Sequence, residues 1–146
     1  MNDIEPGIRP LVDALNAMGI VSTFSSCEGH FDPDQQTLVD RNVAYVRFVP
    51  ATDIPVEQVE ITLGSWLVAY KKKHGLLPVR VIGYKLFTPI DDDIDVTFVI
   101  ELRPFNRFDL PSRKRTDMDR AVAQVVMLLN LFISSRYDDD TTSHLR

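Results

Sequence analysis

Apolar residues recur with the period of a helix in some segments and with the period of a strand in others. Together these segments predict one helix followed by two strands, the same three elements again, and then a closing helix. Steps of three and four residues predict the first helix, through Ile8, Leu11, Leu15 and Met18. Pro10 is tolerated in the first turn of such a helix, and Gly19 stands where helices commonly end.

Two strands are predicted after this helix. Residues 20–27 are rich in β-branched and aromatic side chains, and Ala44, Val46 and Phe48 fall on one face of a second strand over 42–49. The connection over 28–41 is about fourteen residues long, a length at which loops are commonly functional or mobile. We therefore expect a hairpin with a long connection.

The second half of the pattern begins with a helix that Thr52 or Asp53 can cap and that places Pro55 in its first turn. Gly75 ends this helix. Its apolar face consists of Val56, Val59, Leu63, Trp66, Leu67 and Tyr70. Because Trp66 lies at helical spacing with apolar neighbours, we expect its ring in the core.

Two more strands are predicted over 79–87 and 95–103, and a solvated acidic loop joins them. Thr116 and Asp119 then resemble a capping arrangement for a last helix that runs through Phe132. The apolar face of this helix consists of Met118, Ala121, Val122, Val125, Leu128, Leu129 and Phe132.

These elements define an α+β fold, a two-layer sandwich with the helices on one face of a single four-stranded sheet. The order is a circular permutation of the ferredoxin-like order. We expect one domain over 1–137, followed by a disordered acidic and polar tail over 138–146. Because a two-layer sheet leaves one face uncovered, we also expect a homodimer. The candidates for its contacts are either apolar residues of the last helix or two residues on the strands, namely Val126, Leu129, Leu131, Phe132 and Ile133, or Phe87 and Val99.

The 146 residues are 45% hydrophobic and 25% charged, an ordinary composition for a chain with one core. Cys27 is the only cysteine, which excludes an intrachain disulfide and any zinc site built from two or more cysteines of one chain. The first residues lack the basic and apolar segments of an export signal, and no apolar run approaches the roughly 20 residues that span a bilayer. We expect a soluble cytoplasmic protein.

The net charge of −5 is unevenly distributed, and two stretches are basic. The lysines at 71–73 fall in the last turn of a predicted helix, where cations meet the helix dipole favourably. Arginines alternate with aromatic residues in 103–120, a pattern that can stack on bases and contact phosphates, although the aromatic rings can equally anchor a loop to the core. From this stretch we take Arg103 and Arg107 as candidate ligand-binding residues.

The end of the first strand concentrates polar chemistry in six residues, namely Ser25, Ser26, Cys27, Glu28, Gly29 and His30. Gly29 permits a positive φ angle, so that backbone amides and serine hydroxyls can converge on an anion. The alternative is an ordinary strand end in which Cys27 is a small buried hydrophobe. The candidate catalytic residues are Cys27, Glu28 and His30, and the candidate ligand-binding residues are Ser25, Ser26, Gly29, Asp32 and Asp34.

Two chemistries are open to the thiol and imidazole of this segment. Cys27 and His30 have the spacing of a metal knuckle, but they supply only half a site. Asp32, Asp34 or a second subunit would have to complete it, and we assign no metal. Alternatively, Cys27 is a nucleophile with His30 as its base, an arrangement for which the sequence shows no third group.

Ser25, Ser26, Cys27 and Gly29 resemble the Ser-Ser-Cys-x-Gly segment of the wybutosine-synthesis Taw3/Tyw3 family, which also places it on a strand after a first amphipathic helix. Glu28 and His30 replace the small and basic residues of that family. The resemblance implies methyl transfer from S-adenosylmethionine to a tRNA base, with this turn lining the site.

Two hypotheses of different class follow. The first is a small ligand-binding enzyme that acts on RNA or a nucleotide at the turn 25–30. The second is a non-catalytic homodimeric binding or assembly module in which this turn is structural and the last helix carries the function. The sequence contains no Gly-rich phosphate loop, dinucleotide fingerprint or serine-hydrolase elbow, which excludes those enzyme classes.

Overall fold

The structure is a computed structural model that describes residues 4–31 and 42–144, with the backbone alone over 132–144. Its elements follow the predicted order. They are α1 (Arg9–Ala17), β1 (Val21–Cys27), β2 (Ala44–Pro50), α2 (Val56–His74), β3 (Val79–Ile90), β4 (Asp93–Pro104) and α3 (Pro111–His144). The candidate residues Asp32 and Asp34 lie outside the described residues, and so do the side chains of Phe132 and Ile133.

The strands form one antiparallel sheet in the order β1-β2-β4-β3. Since β4 lies between β2 and β3, helix α2 connects two strands that run in the same direction but are not neighbours. The same order results when a ferredoxin-like βαββαβ chain is circularly permuted. The α+β sandwich predicted from the hydrophobic pattern is thereby confirmed.

The core lies between the helices and one face of the sheet. Alternate residues of the two central strands are buried there, namely Ala44, Val46, Phe48, Phe98, Ile100 and Leu102. The rings of Phe48 and Phe98 stack with centroids 5.8 Å apart. Burial of each such side chain contributes roughly 1.5–3 kcal/mol. Trp66 is also buried, as predicted from its spacing.

Proline and glycine set the ends of the first two helices. α1 carries Pro10 in its first turn, and Gly19 follows its end at a φ of +78°, as predicted. The prediction that Thr52 or Asp53 caps α2 is wrong, because Pro55 itself occupies the N-cap position and no side chain caps this helix. Proline disfavours a helical conformation at the residue before it, which is consistent with a helix that begins only after Pro55.

The last helix begins earlier and continues further than predicted. α3 starts at Pro111, and the Thr116 hydroxyl donates to the carbonyl of Ser112 inside the helix, so Thr116 is not a cap. The backbone of α3 extends beyond Phe132 to His144. The domain boundaries at 137 and 138 stay predictions. None of the helices in the described part of the chain is both long and apolar enough to cross a bilayer.

The hairpin of β3 and β4 is longer than predicted, and only a short turn at Asp91 separates its strands. Its acidic residues are exposed to solvent, as expected for a solvated hairpin. Phe87, Ile90 and Ile94 are also exposed there, at 61%, 50% and 57%. The end of the hairpin therefore carries an apolar surface.

Two of the residues predicted for homodimer contacts are buried within the chain. Leu129 belongs to the core, with 2% of its surface exposed. Val99 is 1% exposed although it lies on the sheet face away from the helices. Its partners on the neighbouring strands are Arg47 and Tyr84, which both have long side chains. Leu129 and Val99 are thus not available to a partner, whereas Phe87 is.

Candidate functional site

A thiol, an imidazole and a carboxylate meet beside the end of β1. One ligand atom each from Glu5, Cys27 and His30 lies within 4.8 Å of the other two. Nε2 of His30 is 3.0 Å from Oε2 of Glu5. All three side chains are half-buried, so that solvent or a small ligand can reach them. Glu5 provides the third group that the sequence pattern did not reveal.

Two glutamates hold the segment before α1 against the turn after β1. The backbone N–H of Glu28 donates to Oε1 of Glu5 over 3.0 Å, and the N–H of Gly7 donates to Oε2 of Glu28 over 2.8 Å. A Cβ atom at Gly7 would collide with the Glu28 carboxylate, so this approach requires glycine. Hydrogen bonds to carboxylates are among the strong ones in proteins. The hydrogen bond from the Glu28 amide thus fixes Oε1 of Glu5 and leaves Oε2 facing His30.

Helix α3 holds the same turn from its other side. Gly29 adopts a φ of +85°, and its carbonyl accepts a 3.0 Å hydrogen bond from Nη1 of Arg115. The buried ring of Phe31 lies 5.2 Å from the guanidinium of Arg115 and 5.6 Å from the ammonium of Lys114. Each such cation–π contact contributes about 0.5–2 kcal/mol. The turn is therefore fixed at both ends.

The basic stretch 103–120 is not one loop, because it spans the end of β4, a short connection and the first turns of α3. Lys114 is 6% exposed and donates to the side chain of Asn42 and the carbonyl of Arg107. It is thus a structural cation. The guanidinium of Arg107 lies 5.5 Å from the ring of Phe108, in the connection.

The candidate Arg103 lies on β4, two strands away from the strand that carries Cys27. Cys27 is opposite Tyr45, and Tyr45 is opposite Glu101, which places Glu101 two strands away from Cys27, roughly 10 Å. Arg103 makes a 2.9 Å ion pair with this Glu101. Arg103 is therefore not a neighbour of Cys27.

The two serines do not converge on one point. Ser25 is opposite Arg47 on the outer face of the sheet, whereas Ser26 is opposite Val46, whose side chain is buried under the helices. Successive residues of a strand point to opposite faces, so their hydroxyls cannot serve one anion together with Gly29.

A polar network lies on the outer face of the sheet. The hydroxyl of Tyr84 donates to Oε1 of Glu101, and Arg103 donates to the other oxygen, Oε2, of the same carboxylate. Burial raises the pKa of Tyr84, and the nearby charge of Glu101 raises it further. Burial likewise raises the pKa of Tyr70 on the opposite side of the molecule.

A cleft of about 880 Å³ opens beside the turn, between the segment before α1 and helix α3. Glu28, Arg115 and Asp119 form its polar end, and Arg115 and Asp119 make a 2.8 Å ion pair there. The apolar lining includes Pro6, Pro10, Val122, Ala123, Val126, Met127 and Leu131. An apolar cleft with a few polar groups at one end is the usual form of a small-molecule site.

Glu5 and Arg115 are the site residues that the sequence analysis missed. Both reach the turn through contacts between distant parts of the chain. Arg115 lies in the basic stretch 103–120, but no feature of that stretch distinguishes it from the other arginines there. The Pro6 and Gly7 pair was the one available signal for Glu5, because it indicates a tight turn before α1.

Neither the protein-family models nor the curated proteins nor the solved structures contain a match to this chain. The site is therefore interpreted from its own chemistry. The thiol, imidazole and carboxylate of the cluster can bind a cation or transfer a proton, and the cleft can bind a flat apolar group with polar edges.

Proposed function

We propose that the protein is a small ligand-binding enzyme whose substrate occupies the cleft between α1 and α3 and reacts beside Cys27 and His30. The supporting observation is that Glu28 lines the cleft and belongs to the turn that carries both reactive side chains. In this proposal Cys27 and His30 are catalytic, while Glu28 orients the turn through its bond to Gly7.

The substrate class is a nucleotide or an RNA base. A nucleobase has the flat apolar body and polar edge that the cleft lining matches. Phe108 and Arg113 near the start of α3 are exposed, at 87% and 65%, and could stack on a neighbouring base and contact a phosphate. The resemblance of the turn to the wybutosine-synthesis family adds methyl transfer from S-adenosylmethionine as the proposed reaction.

Filling the cleft tests this function. Ala123 is an exposed residue of α3 that lines the cleft, so Ala123→Trp should block it without disturbing the core. Ser65→Trp on the exposed face of α2 is the matched control. Calorimetric titrations would use S-adenosylmethionine, nucleoside monophosphates and tRNA as probes. We expect at least one probe to bind, with affinity reduced at least tenfold by Ala123→Trp and unchanged by Ser65→Trp. Absence of binding by the unmodified protein to every probe would overturn the proposal.

A homodimeric binding module is the second candidate function, and the exposed end of the β3–β4 hairpin favours it. β3 is an edge strand of the described sheet, and Phe87, Ile90 and Ile94 are exposed near its end. Two copies of an edge strand can pair antiparallel about a two-fold axis, which would cover these side chains in both subunits. The partner in this candidate function is therefore a second copy of the chain.

Sedimentation measurements over a range of protein concentrations test the dimer. Phe87→Asp should convert it to a monomer, whereas Ile61→Asp, at an exposed position on α2, should leave it intact. A protein that sediments as a monomer at all concentrations would exclude this candidate function.

A further inference from the structure

The side chains of Glu5, Cys27 and His30 form a donor set that suits one class of metal ion. The set offers one sulfur, one nitrogen and one oxygen atom. Hard cations such as Mg²⁺ and Ca²⁺ select oxygen ligands, whereas zinc is commonly bound by thiolate, imidazole and carboxylate. A thiolate and a carboxylate also balance the two positive charges of the ion. We infer that these residues bind one zinc-class divalent cation.

The distances fit such an ion after a small movement. Tetrahedral bonds of about 2.0–2.3 Å hold the ligand atoms roughly 3.3–3.7 Å apart. Glu5 and His30 already approach to 3.0 Å, and all three ligand atoms lie within 4.8 Å of one another. Because the backbone of Cys27 is paired in β1 and its side chain is half-buried, rotation of the side chain, and not a shift of the strand, would have to close the remaining distance.

The surroundings hold the ligands in the orientation that a metal ion requires. The Glu28 amide binds Oε1 of Glu5 and directs Oε2 toward His30. Arg115 holds the carbonyl of Gly29, next to His30, and thereby fixes the path of the turn. Outer hydrogen bonds of this kind orient metal ligands and commonly change metal affinity 10-fold to 100-fold. Arg115 and Glu28 are therefore positioning residues for the ion.

Three protein ligands leave one tetrahedral position for water or substrate, which is the form of catalytic rather than structural zinc sites. A catalytic role for the ion rests on the proposed function, because the substrate would have to come from the adjoining cleft. Binding of the ion itself does not depend on the proposed function. The cation would polarise a substrate oxygen or activate its bound water beside the turn 25–30, of which Glu28 lines the cleft.

Metal titrations of the full chain test the inference. We expect one equivalent of Zn²⁺ to bind, and Co²⁺ to give the near-ultraviolet charge-transfer band of a cobalt–thiolate bond. Cys27→Ser should abolish this band, and Glu5→Gln and His30→Gln should each weaken Zn²⁺ binding at least tenfold. Glu57→Gln and His74→Gln, on α2, are matched controls that should bind as the unmodified protein does. Circular dichroism would verify that each variant is folded.

The outcomes separate this inference from the proposed function. Failure to bind Zn²⁺ stoichiometrically, or unchanged binding by Glu5→Gln and Cys27→Ser, would overturn the metal site even if the cleft binds a nucleotide. Conversely, Ala123→Trp should retain full Zn²⁺ binding while losing the cleft ligand. A protein that binds Zn²⁺ and none of the cleft probes would retain the metal site and lose the proposed substrate class.

Discussion

The ammonium nitrogen of Lys114 donates a 2.7 Å hydrogen bond to the side-chain oxygen of Asn42, and both residues are buried. The same nitrogen lies over the ring of Phe31. Lys114 therefore connects α3 to Asn42, two residues before β2, and to Phe31, just after the turn of the candidate site. A cation in this position stabilises the fold and has no surface for an external phosphate.

Replacement of Lys114 by methionine should lower the free energy of unfolding by about 2–4 kcal/mol, because the charged donor of two buried hydrogen bonds is lost. Urea denaturation followed by circular dichroism measures the change. Arg113→Met is the control, since Arg113 is mostly exposed and should change stability by no more than about 0.5 kcal/mol. Equal stability of the two variants would contradict the structural role of Lys114.

Alanine should have opposite effects at two glycines. Gly29→Ala places a side chain at a φ of +85° and a Cβ atom 2.8 Å from the Phe31 ring, so we expect a loss of more than about 1–2 kcal/mol. Gly64→Ala on α2 meets no atom within 4 Å and should gain about 0.5–1 kcal/mol from helix propensity. Gly19→Ala, at a φ of +78° in open space, isolates the backbone strain from the steric contact. A Gly29 variant no less stable than the Gly19 variant would argue against the close contact with Phe31.

Stability should fall at alkaline pH partly through Tyr84. Its pKa is raised in the folded state by burial and by Glu101, so the folded protein favours the protonated phenol. The unfolded chain loses this proton first, at about pH 10. The contribution of Tyr84 is therefore complete below that pH and declines as the pH rises toward the raised pKa. Urea midpoints measured at about pH 9 and pH 11 should differ less for Tyr84→Phe than for the unmodified protein. Identical differences would refute this assignment.

Trp66 should tolerate phenylalanine better than its size suggests. Its indole N–H is buried without a hydrogen-bond partner among the described residues, so removing it eliminates an unsatisfied donor together with apolar volume. We expect a cost of about 1–2 kcal/mol for Trp66→Phe and about 3–5 kcal/mol for Trp66→Ala. Thermal unfolding followed by circular dichroism compares them. A phenylalanine variant as unstable as the alanine variant would show that the N–H is satisfied in solution.

The fold could be predicted because buried apolar residues recur at every second position of the central strands. Val46 and Phe48, for example, alternate with polar residues and are buried as expected. The helix starts were harder to predict, since Thr116 follows a plausible capping pattern inside a helix that Pro111 begins. A local pattern cannot show which of two competing starts the tertiary contacts select.

The site could be predicted only where it is local. Cys27 and His30 lie in one turn, and their proximity follows from their spacing. Glu5 reaches them through a bond that spans 23 residues, which depends on how α1 packs on β1. The separation of the two serines could also have been predicted, because strand alternation already places Ser25 and Ser26 on opposite faces of the sheet.

β1 is an edge of the described sheet, bonded to β2 alone, and its pairing is interrupted by an irregularity between Thr23 and Ser25. Peripheral strands with broken pairing open locally at a lower free energy than central ones, so amide hydrogens of β1 should exchange faster than those of β4. The Cys27 thiol is thus carried by an edge strand that opens more readily than the central strands. A metal ion bound by both Cys27 and Glu5 would link this edge strand to the segment before α1. Slower hydrogen exchange of the β1 amides would therefore report directly on how much of the protein holds the ion.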